Sequence, residues 1–240
     1  MKSHFIGRLG ALAGLFVLAF TCIWSIVPPP SAEPLDGRFG DNAVLALELA
    51  RTPHDVEVVI GPNPPSEEHR AIRERLDTLT RQDFVYMAAY GTMLICGFML
   101  LGRNRGARYA RVGMALVVVA VIADALENRV LLALTKPDTD VGAWMGQLAV
   151  FTYVKWLLLA LAASLYAVSS FARDRGAIRV VTGLGASAIL VGVLMIPWPA
   201  VMSPIPVLAF APTWLLMFAR CVQAARKAAG EVPSADGLRR

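Results

Sequence analysis

The stretch Ala123-Asp124-Ala125-Leu126-Glu127-Asn128-Arg129-Val130 places two carboxylates, an amide and a guanidinium inside a run, 112–134, that is otherwise long and apolar enough to cross a bilayer. Lys155 repeats the anomaly in the next apolar run, 148–171. A charge at membrane depth costs a few kcal/mol even on permissive insertion scales, so such residues face a packed interior, pair with one another, and often mark a working site.

The surrounding chain is that of a membrane protein. Of 240 residues, 56% are hydrophobic and 17% charged, too apolar a balance for a soluble globule of this length. The net charge of +5 does not point to nucleic acid, because the arginines sit in short clusters at helix ends and leave no basic surface for a footprint.

Six spans follow from the apolar runs: 9–27, 84–101, 112–134, 148–171, 180–196, and a last one ending near Arg220 with a kink at Pro212. Basic residues outnumber acidic ones before the first span, after the second, after the fourth and in the tail; acids prevail in the other two loops. The positive-inside rule therefore puts both termini in the cytoplasm of an inner (plasma) membrane protein. The first span, 1–27 with its basic start, is longer than a signal-peptide core and has no clear cleavage site, so an uncleaved anchor is expected. The organisation is then an anchor (1–27), an extracytoplasmic loop (28–82), a five-helix membrane region (83–221) and a cytoplasmic tail (222–240). Gly183, Ser187 and Gly192 would let the fifth span approach a neighbour closely.

Residues 28–82 carry ten acids against six arginines and read as a small helical cap. Asp41 is placed to cap a short helix through Arg51. Thr52-Pro53 opens a second one that Gly61 ends, although Val56-Glu57-Val58-Val59-Ile60 alone would also suit a strand. Ser66 caps a third helix, with Glu67 and Glu68 in its first turn, and no proline interrupts it before Leu101. That predicts one helix running from water into the bilayer. The spacings Arg73 to Asp77 and Asp77 to Arg81 allow ion pairs on its wet face.

Counting about 1.5 Å per residue from the cytoplasmic end of each span puts Tyr90, Tyr86, Asp83, Asp124, Glu127, Arg129 and Lys155 in one layer roughly 17–29 Å up. Asp83, Tyr86 and Tyr90 share a helix face by spacing, as do Asp124, Glu127 and Asn128, and Thr152 and Lys155. By depth the expected ion pairs are Asp83 with Arg129, and Lys155 with Asp124 or Glu127. One carboxylate is left over. A purely structural role, fixing which helices pack together, competes with a functional cavity open to the outer leaflet.

Other chemistries lack their residues. His4, His54 and His69 are scattered outside the spans, so no metal and no haem is expected; no phosphate loop or nucleophile elbow occurs, and the three cysteines make no framework. No cofactor is implied. The five tryptophans suit interfacial belts.

Asp83-Phe84-Val85-Tyr86-Met87-Ala88-Ala89-Tyr90, Ala123-Asp124-Ala125-Leu126-Glu127-Asn128 and Tyr153-Val154-Lys155-Trp156 resemble a pattern in uncharacterised bacterial multi-pass membrane proteins, over residues 40–171. The resemblance implies a shared membrane architecture and no activity. The expected protein is an all-α, six-helix membrane bundle with an extracytoplasmic cap. It is expected to bind a lipid headgroup or small polar ligand through Asp83, Tyr86, Tyr90, Asp124, Glu127, Asn128 and Lys155. Beyond the bilayer and that ligand, no partner is indicated. One alternative is an enzyme on a lipid-borne substrate, with Glu127 or Asp124 as acid or base and Lys155 steadying developing negative charge. A proton-coupled transporter is the other, and the apolar lower halves of spans two to four speak against it.

Overall fold

The computed structural model describes residues 3–26, 30–35, 42–105, 107–171 and 205–230, and every regular element among them is an α-helix. In order these are α1 (Ser3–Ile26), α2 (Ala43–Glu48), α3 (Pro53–Ile60), α4 (Glu67–Arg105), α5 (Ala107–Leu134), α6 (Val141–Phe171) and α7 (Ile205–Gly230). Four of them are long and apolar enough to cross a membrane: α1, α4, α5 and α6. Their outer faces are apolar as a lipid contact requires, with Leu12 67%, Val119 48% and Ile122 53% exposed. The expected fifth span, 180–196, with its small residues, and the tail beyond 230 lie outside the described residues. α7 passes Pro212 without ending and carries on beyond Arg220 to Gly230.

α5 packs between α4 and α6, while α1 and α7 pair with each other against the other side of α4. The close approach of α1 to α7 depends on glycine. A Cβ on Gly7 would lie 2.7 Å from the backbone nitrogen of Ala225, and one on Gly10 would lie 2.6 Å from Cys221 Sγ. These small residues, three apart on one face of the first helix, let two backbones meet where lipid supplies no hydrophobic force to drive them together. The main core runs through Met93, Phe98, Val117, Ala120, Leu159 and Tyr166, with the Phe98 and Tyr166 rings edge to face at 5.5 Å.

Local signals in the loop fold as read. α3 has a capping box, in which the Thr52 side chain accepts from Asp55 N and the Asp55 carboxylate accepts from Thr52 N; Pro53 starts the helix and Gly61, at φ 77°, stops it. The Val56–Ile60 run is therefore helix, not strand. Ser66 Oγ accepts from His69 N, and α4 then runs unbroken for 39 residues, roughly 58 Å. Asp41 lies outside the described residues; α2 is capped by Asn42, whose Oδ1 accepts from Leu45 N at 3.1 Å.

α2, α3 and the first turns of α4 bury a second core, including Leu47, Val56, Ile60 and Leu76, against Val130, Leu131 and Leu134 of α5 and Leu148 of α6. Arg73 departs from expectation. Instead of pairing with Asp77, its guanidinium is buried and donates to the carbonyls of Ile60, Gly61, Pro62 and Lys136 at 2.9–3.4 Å. The orphan carbonyls ending α3 need donors once they are covered, and the five-donor guanidinium supplies them. Asp77 instead holds Arg81 at 2.7 Å and Lys136 at 3.1 Å.

Candidate functional site

The helices bring the sequence-selected residues into one layer. On α5, Asp124, Glu127 and Asn128 are buried, with Glu127 at 0% exposure. Their i, i+3, i+4 spacing turns them toward α4 and α6 together. From α4, the Tyr90 hydroxyl donates to Asp124 Oδ2 at 2.5 Å, and Asp83 Oδ2 accepts from Asn128 Nδ2 at 2.7 Å. From α6, Lys155 Nζ donates to Glu127 and lies 3.3 Å from Asp124 Oδ1, while the Thr152 hydroxyl donates to Glu127.

One expectation is corrected. The Asp83 partner is Asn128, not Arg129, whose side chain is exposed. Asn128 is four positions from Asp124 and stays on the buried stripe, while Arg129 is turned a further 100° away, so a shift of a single position decides between core and surface. Tyr86 joins no carboxylate: its hydroxyl lies 3.2 Å from Thr21 Oγ1, and its ring stacks with Phe20 and Trp24 of α1. Trp24 stacks on Tyr86 at 5.9 Å and Trp214 on Tyr90 at 5.5 Å. Trp198 lies outside the described residues.

The residue that sequence reasoning missed is Glu48. It ends α2, and its Oε2 lies 2.9 Å from Lys155 Nζ, so the cap supplies the third carboxylate around this ammonium. Burial raises the Glu48 carboxyl above its ordinary value; Lys155 opposes that shift, and Asp124 adds to it. A signal was available: Glu48 stands inside Ala46-Leu47-Glu48-Leu49-Ala50, a lone acid with apolar residues on both sides. Arg51, just beyond α2, is near enough to Glu127 for their charges to interact.

The site is thus a covered cluster of four carboxylates, Glu48, Asp83, Asp124 and Glu127, with Lys155 inside it and Arg51 at its edge. Fully ionised it carries more negative charge than its cations balance, an arrangement that favours uptake of protons or of a cationic group over an anion. With carboxylates on three sides, Lys155 donates to Glu48 and Glu127 and lies against Asp124, an environment that repels an oxyanion. Among the described residues no three His, Cys, Asp or Glu side chains are arranged to hold a metal ion. No protein-family model, curated protein or solved structure matches this chain.

Proposed function

We propose that the protein is a six-span inner-membrane binding or accessory protein, with both termini cytoplasmic. In this reading α2 and α3 form an extracytoplasmic cap over an outer-leaflet polar site, and α7 and the run 180–196 complete the bundle. The ligand is a lipid headgroup or small polar molecule bearing a protonated amine.

The observation that carries this reading is the surplus of carboxylate. A structural ion pair needs one acid for Lys155, and every further buried acid adds cost that packing alone does not return. Lys155 has three, and Asp83 stands beside them with only the neutral Asn128 amide bonded to it. An ammonium group entering near Asp83 would offset that excess.

The test is native mass spectrometry of the detergent-purified protein and its Asp83→Asn variant. Wild type is expected to carry an amine-bearing adduct that Asp83→Asn loses while its melting temperature stays within a few degrees. An adduct-free wild type, or an adduct kept by the variant, overturns the reading.

A further inference from the structure

We propose that α2, with Leu49 to Arg51, is a lid over the buried polar layer, and that the contact of the Glu48 carboxyl with Lys155 is its latch. Resting on the reading of that layer as a binding site, the proposal adds how the site is reached.

The layer is closed in this structure: Tyr90, Asp124, Glu127, Asn128, Thr152 and Lys155 are each 5% exposed or less. Something must move before a ligand enters. Two elements of the cap cover it, and they are held with different strength. α3 has a capping box at one end and the Arg73 guanidinium on its last carbonyls at the other, and residues 32 and 33 donate to Val59 O and Val58 O. α2 has six residues, too few to be helical without its contacts, and the buried side chains of 43–51 are Ala43, Ala46, Leu47, Leu49 and Ala50, three of them alanines. Its hold is therefore side-chain packing and the Glu48 contact, with no pin like the one Arg73 gives α3.

Of the three carboxylates around Lys155, Glu48 is the one that can leave without stranding a charge. When it swings into water together with Arg51, Lys155 keeps Glu127 and Asp124, and both departing charges gain hydration. Removing Glu127 or Asp124 has no such relief, since both belong to α5. Thr152 behaves consistently. Its Oγ1 is within hydrogen-bond distance of both the Glu48 carbonyl, at 3.1 Å, and the Glu127 carboxylate, so when α2 opens its one proton still has Glu127 to serve.

The experiment is thiol labelling of purified protein in detergent by a polar maleimide, with no ligand added. A Cys22→Ser, Leu148→Cys background places one reporter under the cap, since Leu148 is fully buried there, while the buried Cys96 and Cys221 report on unfolding. Glu48→Ala is expected to speed labelling at the reporter by about tenfold or more, with Cys96 and Cys221 still protected. Glu57→Ala, an exposed acid on α3, should leave the rate unchanged. An unchanged rate for Glu48→Ala, or labelling of Cys96 and Cys221 in parallel, overturns the lid. Because no ligand takes part, the lid can fail while the Asp83→Asn adduct result stands, and the reverse.

Discussion

Lys155 Nζ and Glu48 Oε2, 107 positions apart in the chain, meet at 2.9 Å, and this pair ties the cap to the buried layer of the bundle. A buried ammonium among carboxylates is a cost that geometry repays only while the cation is present.

Lys155→Met should therefore be severe. It leaves Glu48, Asp124 and Glu127 buried together without their cation, a loss of about 3–5 kcal/mol. Adding Glu127→Gln to it removes one stranded charge and should restore part of that stability. Thermal melting of the two singles and the double in detergent gives the coupling. Additive effects would mean that Lys155 and Glu127 do not act as a pair.

The pH dependence has a definite sign. Burial raises the Glu48 carboxyl above the ordinary 4.5, with Lys155 pulling it down and Asp124 pushing it up. A folded-state value above the unfolded one means that its contribution to stability is full below about 4.5 and is lost as pH rises through the folded value. The same sign governs closing of α2 against an open state in which Glu48 is hydrated. The groups facing Glu48 are Asp124 and Glu127 from α5, Lys155 and Thr152 from α6, and Arg51 beside it, and Asp83 from α4 also feels its charge. Their own titration and that of the reporter thiol are removed by comparison: the ratio of the wild-type labelling rate at Leu148→Cys to that of Glu48→Gln should rise from pH 5 to pH 9. A ratio that is flat or falling contradicts the assignment.

The α1–α7 contact should tolerate no side chain at Gly7. A Cβ there meets backbone of Ala225 and Cys221, which cannot rotate aside, so Gly7→Val is expected to undock α1 and cost about 1–3 kcal/mol or more. Gly146 in α6 has nothing within 4 Å of a Cβ, and Gly146→Ala should instead gain about 0.5–1 kcal/mol from helix propensity. Melting temperatures moving in the same direction for both variants would sink the argument.

The helices were legible because their signals are local. Thr52-Pro53 with Gly61, Ser66 with its two glutamates, and the proline-free run to Leu101 each act within a few residues, and each predicted element is present. Counting residues along each helix also brought Tyr90, Asp124, Glu127 and Lys155 to a common level, where they meet, since rise per residue is fixed once a helix is assigned. What failed was rotation and long-range pairing. Whether Asn128 or Arg129 faces α4 depends on 100° of helix rotation that spacing alone does not anchor. Glu48 was counted with the wet acids of its loop because nothing in its own neighbourhood says that α2 folds back over α6. The same applies to Arg73, whose partners are carbonyls of a loop and carry no sequence identity at all.

That last residue gives the most local of the tests. Arg73 supplies donors to four carbonyls, three at the end of α3 and one just past the end of α5, and its bonds to Ile60 and Gly61 are buried. Arg73→Met keeps much of the volume and removes every donor, leaving buried acceptors that cost about 1–3 kcal/mol each if nothing replaces the bond. The damage should be confined to the cap, because α5, α6 and the lower part of α4 pack through a separate core. Limited proteolysis is expected to cut the variant within 52–66 while 84–134 stays protected. Arg73→Lys should rescue only in part, since an ammonium has three donors and no planar fork to span adjacent carbonyls. Equal protection of both variants and wild type would show that the pin contributes nothing to the cap. Cleavage spread evenly into 84–134 would show instead that cap and bundle unfold as one, and the lid could not then move independently of the helices beneath it.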